Sequence, residues 1–255
     1  MKHTRLTTIA LGLTSLLAVG MVAVSHPAPE MGRDDGSLGH PQKWAPDGTR
    51  ERLTPGNCVF LFVDHQTGLM NIVDNVGTTN FKHDVMALAE AAKLYGAPVI
   101  LTTSDEAGPN GPLLPGLLKL FPDAPLISRP GQINAFDNQE FVDAVAATGR
   151  KKLIISGITT DVCVAFATLS ALEMGYEVHV VASGTMSEQV QDAAIMRMAA
   201  AGATITNWFA VSCELLSDWR NPAGPGSAKL FSDRLPGYAE AMSSHKAAKD
   251  AGAGN

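Results

Sequence analysis

Apolar residues gather in six short stretches: 58–64, 97–103, the start of 126–131, the run Leu153, Ile154 and Ile155, then 176–182 and 203–206. Short apolar runs without polar alternation predict strands buried on both faces, as in a parallel sheet. Between them the apolar residues fall at helical spacing. Phe81, Val85, Leu88, Ala92 and Tyr95 lead into Gly96, and further helices are expected at 117–121, 134–148, 162–174, 188–201 and 208–219. Within 188–201 both Met196 and Met198 are assigned to the core. Strand and helix alternate, which predicts an α/β fold: a doubly wound parallel sheet of about six strands with right-handed crossovers.

The ends of the chain break this pattern. Lys2, His3 and Arg5 precede an apolar stretch from Leu6 to Val24, and Ala23-Val24-Ser25 offers the small residues of a cleavage site, so 1–25 reads as a signal peptide. An uncleaved membrane anchor is the alternative. Export predicts a periplasmic or secreted protein with no membrane association after cleavage. Residues 26–52, rich in Pro, Gly and Asp, read as a linker or arm, 53–220 as the folded domain and 221–255 as a C-terminal extension.

A formal charge of −6 with acids and bases interspersed shows no basic stripe, so nucleic acid is not an expected partner. Three cysteines in an oxidising compartment leave at least one unpaired. Cys58 and Cys163 are expected at opposite ends of their strands, about 20 Å apart and beyond any disulfide. A bond between Cys163 and Cys213 stays open.

Three polar residues fall at carboxyl ends of strands. Asp64 ends CVFLFVD, where open α/β sheets place ligands, although a helix cap or turn would use the same residue. His65 faces the other side of the pleat and is assigned to packing or hydrogen bonding. Arg129, stiffened by Pro130, is either a partner for a carboxylate and a thiolate or a solvated cation. Cys163 closes KKLIISGITTDVC, a strand, turn and helix start in which orphan N–H groups and the helix dipole favour thiolate. An inert core cysteine would fit there too. The loop SDEAGPNGPLLP either shapes a pocket or punctuates the surface.

The segments FVDHQTGL, SRPGQINAFDN and SGITTDVCVAF resemble the isochorismatase-like cysteine hydrolases, and TTSDEAGPNGPLLP and WFAVSCELLSDWR resemble the YcaC-like branch. The resemblance covers 53–220. It implies a Rossmann-like three-layer sheet, a homo-oligomer, Cys163 as nucleophile, Asp64 as general acid/base and Arg129 as the cation beside them. It also implies a cis peptide between Ile158 and Thr159 that turns the N–H groups of Thr159 and Cys163 toward an oxyanion.

Three departures stand out. Most of the family has Lys where this chain has Arg129, and a guanidinium supplies charge but no proton. Many relatives carry an acid after the fifth strand, where this chain reads Ala182-Ser183-Gly184. The metal-holding His of nicotinamidase relatives has no counterpart at Ser104, Asp105 and Glu106, so no metal or cofactor is expected. The expected function is hydrolysis of a small, uncharged amide-like substrate through a thioester. A binding or scaffold protein that lost the activity is the rival, and vinyl ether hydrolysis is disfavoured by Cys163.

Overall fold

Strands β1 (Cys58–Val63), β2 (Val99–Ser104), β3 (Leu126–Arg129), β4 (Lys152–Ile158), β5 (Glu177–Gly184) and β6 (Thr204–Ile205) pair in parallel, in the order β3-β2-β1-β4-β5-β6. This computed structural model describes residues 51–252, so the signal peptide and nearly all of the arm expected before them lie outside the described residues. The chain winds one way from β1 to β3 and the other way from β4 to β6. A crevice therefore opens at the carboxyl ends of β1 and β4, where such sheets bind ligands.

Alternate residues of each strand feed opposite layers. Phe60, Phe62, Leu101 and Ile154 pack against α1 (Thr78–Tyr95), α2 (Pro115–Leu120), α6 (Trp208–Leu216) and α7 (Gly224–Arg234). Val59, Leu61, Ile100, Leu153 and Ile155 pack against α3 (Gln139–Ala147), α4 (Ala165–Glu173) and α5 (Glu188–Ala200). Every residue of β1, β2 and β4 is buried, including Thr102, Thr103 and Ser104 of β2 and Lys152 and Ser156 of β4, as befits the central strands of a sheet covered on both faces. Gly157 lets β4 approach β1: a Cβ there would lie 2.6 Å from the Val63 carbonyl oxygen.

Several expected elements differ in detail. The 134–148 helix is interrupted, because Asn134 and Asn138 turn their side chains back to cap Phe136 N and Phe141 N, leaving one 3-10 turn (Ala135–Asp137) ahead of α3. The helix expected from Val162 opens instead as a π turn (Thr160–Val164), with α4 following. Ser217, at φ 62°, ends α6 short of Trp219. Met198 is buried as expected, but Met196 is 66% exposed, since it sits on the outer face of α5. The C-terminal extension, which showed no clear period, forms α7 and α8 (Pro236–Gly252); Leu230 and Phe231 bury α7, whereas α8 buries no residue. Among the described residues no helix is long and apolar enough to cross a membrane.

Candidate active site

Asp64 is the first residue beyond β1. Its backbone turns left-handed, φ 57°, a conformation that Asp tolerates better than most side chains. The turn is held by Asp64 N–H donating to Thr102 O at 2.9 Å and Gln66 N–H donating to Asp64 O at 2.7 Å. Asp64 is fully buried, and its Oδ1 accepts from Arg129 Nη2. Its Oδ2 is buried without a well-formed hydrogen bond to the protein.

Arg129 ends β3 and is equally buried, with side chains of both partners wholly sealed from solvent. All three guanidinium nitrogens donate: Nη2 to Asp64, Nε to the Thr102 hydroxyl at 3.0 Å, and Nη1 to the carbonyls of Gln132 and, at 3.2 Å, Ile133. A buried guanidinium survives only when so paired. The solvated-cation reading of Arg129 is thereby set aside.

Cys163 lies in the π turn after β4, half-buried. The Ile158–Thr159 peptide is cis. The Thr159 backbone N–H and the Asp64 carboxylate both bear on the Cys163 sulfur, the first favouring thiolate and the second opposing it. Sulfur, carboxylate and guanidinium therefore meet at the crevice, each from a different strand end. All three cysteines are free, so no Cys163–Cys213 bond forms.

The electrostatics reverse the thiolate expected from sequence. Burial, then the charge and hydrogen bond of Asp64, push the Cys163 thiol up to about 12, outweighing Arg129 and the Thr159 N–H, which pull it down. Cys163 precedes α4 rather than occupying its first turn. Burial also raises Asp64 above the ordinary carboxylate range, against the opposing pull of Arg129. Burial thus favours the protonated form of both the sulfur and the acid.

Neighbouring polar groups fix the frame. His65 Nε2 lies 2.9 Å from the Ser156 hydroxyl, which donates to Ala182 O at 2.7 Å. Because that hydroxyl proton is committed, His65 carries its own proton on Nε2. The chain joins β1 to β4 and to β5 at Ala182, whose φ is 43°. Gln66 spans the other side: its Nε2 donates to Ser104 O at 2.9 Å and Gly111 O at 2.6 Å, and its Oε1 accepts from Ser104 N–H at 2.9 Å. This clamp was missed in the sequence, although a polar Asp-His-Gln run ending a wholly apolar strand was the available signal.

A cavity of about 330 Å³ opens over this point. Its polar wall is Asp64, Ser104, Asn110, Thr159 and Cys163, and Leu69, Ile72, Ile133, Ile158, Val162 and Met186 make the apolar remainder. The SDEAGPNGPLLP loop thus shapes the pocket, through Asn110. A larger hollow of about 660 Å³ at the amino end of β2 has only Lys93 and Asp123 as charges, so size alone does not locate chemistry. Among the described residues no three His, Cys, Asp or Glu side chains cluster as a metal site.

The isochorismatase domain family matches residues 58–209. Probable hydrolase YcaC of Escherichia coli K12 is 51% identical over 196 residues, 76% of this chain and 94% of that protein. A structure of YcaC from Pseudomonas aeruginosa with hexane-2,5-diol and covalent acrylamide is 54% identical, with a TM-score of 0.75 over 76% of this chain and 97% of that one. The Escherichia coli YcaC structure, an octameric hydrolase of unknown specificity, is 52% identical, with a TM-score of 0.75 over 77% and 97%. The expected six-stranded parallel sheet is the observed one, and strand order, sequence and neighbours agree: the chain belongs to the isochorismatase family of hydrolases, on the side of its YcaC-like members.

Proposed function

We propose that the chain hydrolyses a C–N bond of an amide-like substrate through a thioester on Cys163. The observation that carries this reading is Asp64 Oδ2, a buried acceptor without a protein partner beside the one thiol that faces the cavity. As the Cys163 sulfur attacks the carbonyl carbon, its proton passes to Asp64. The tetrahedral oxyanion takes the Thr159 and Cys163 N–H groups. Asp64 returns the proton to the leaving nitrogen, the C–N bond breaks and an amine departs. Water, deprotonated by Asp64, then attacks the thioester and releases a carboxylic acid and the thiol. Arg129 occupies Oδ1 throughout, leaving Oδ2 to carry protons.

The covalent acrylamide on a protein 54% identical supports the presence of a reactive nucleophile in proteins of this kind. A screen of small amides and thioesters with intact-mass trapping tests it. Wild-type protein should form an adduct on Cys163, and Cys163→Ala should fold yet neither trap nor turn over; full activity in that variant sinks the proposal.

One observation favours a second reading, a binding protein that kept the fold: the thiol is pushed up rather than down. Failure to trap any carbonyl compound on sulfur would select it. The octameric relative supports a homo-oligomer, which a solution mass equal to one chain would contradict.

A further inference from the structure

We infer that the cavity admits neutral amides bearing N–H groups and rejects carboxylates, with Asn110 and Ser104 accepting from the amide nitrogen; this rests on the Cys163 reading above. Charge is the first argument. Asp64 is the only charged residue in the cavity wall, and its cation, Arg129, lies behind it with each nitrogen already donating. An anion entering here would meet a carboxylate whose one cation is already committed to it, and an apolar wall, costly surroundings for a second negative charge.

Hydrogen-bond polarity is the second argument. Asn110 Nδ2 donates one hydrogen to Ser104 O at 2.9 Å, which fixes the side-chain amide and leaves its oxygen to accept from a ligand. The Ser104 hydroxyl donates to Gln132 O at 3.3 Å, leaving lone pairs. Asp64 Oδ2 is a third acceptor. The Thr159 N–H beside the sulfur supplies a donor at the reacting oxygen alone. A primary amide matches both features, carbonyl oxygen to Thr159 and –NH2 to the acceptors, whereas a carboxylate has no hydrogen to give them. Ile133 and Met186, 57% and 50% exposed, leave the mouth apolar.

Peptide-resolved alkylation of the full chain with iodoacetamide and iodoacetate, a neutral and anionic pair of similar size, reads the selectivity without any turnover. After division by the ratio for N-acetylcysteine, iodoacetamide should label Cys163 about tenfold faster or more. Met186→Lys, which places a cation at the mouth, should cut that preference by about threefold. Asn110→Leu should slow iodoacetamide and spare iodoacetate. A normalised ratio near one, or a preference that neither substitution moves, overturns the selectivity and leaves the nucleophile intact. No labelling of Cys163 by either reagent, while N-acetylcysteine reacts, removes the nucleophile and the selectivity with it.

Discussion

The carboxylate of Asp64 tightens the Cys163 thiol's hold on its proton: after burial, it is the largest cause that pushes the thiol up to about 12. Replacing the acid should therefore uncouple two properties that usually move together. In Asp64→Asn the Cys163 thiol should titrate below 12, since a raising charge is gone and Arg129 stays, yet hydrolysis should vanish for want of a base. Thiolate ultraviolet absorbance against pH reads the first, and turnover the second. The variant also leaves a guanidinium buried without its counter-charge, so about 3–5 kcal/mol of stability should go with it. An unchanged thiol titration would mean that acid and sulfur do not interact.

His65 sets an acid limit on the fold. Burial pushes its imidazole down from 6.5 to about 3. The unfolded chain takes up this proton as pH falls below 6.5, while the folded chain does not until about 3. The stabilisation is complete above that window and is lost through it as pH falls, at about 1.4 kcal/mol per pH unit. Denaturant titrations across the window should show this slope in wild type and a shallower one in His65→Leu. Equal slopes would assign the acid loss elsewhere.

Gly157→Ala should destabilise by about 1–3 kcal/mol, the range of an overpacked core. Its Cβ would sit 2.6 Å from Val63 O and 2.8 Å from a Val164 methyl, and backbone cannot swing aside as a side chain can. Because Gly157 directly precedes the Ile158–Thr159 turn, kcat should fall more than KM rises. A neutral ΔΔG by chemical denaturation would show that β1 and β4 can spread there.

Much of this was legible from residue order. The buried strands announced themselves because their apolar runs were short, and Arg129, Asp64 and Cys163 were legible as residues at or just beyond the carboxyl ends of three of them. What could not be read was decided by distance between chain-remote atoms. The π turn that sets Cys163 ahead of α4 follows no composition rule, and the thiol's raised pKa depends on how near Asp64 comes. The Gln66 clamp joins residues 38 and 45 positions apart, invisible to any local period.

We also propose that the chain is exported and cut after Ser25, on the charged start, apolar stretch and AVS site of its first residues. N-terminal sequencing of protein recovered from outside the cytoplasm should begin at His26. Protein retained in the membrane with Met1 intact would instead identify an anchor.

Arg129 ties the acid to the wall of the cavity, since the same guanidinium that holds Asp64 also grips the carbonyls of Gln132 and Ile133. Were Asp64 to take a proton, that grip would lose its counterweight at one end, and the backbone under Ile133 is the other end of the lever. Arg129 thus strings the acid's charge and the backbone of the pocket onto one rigid strut, joining the floor of the cavity to its rim.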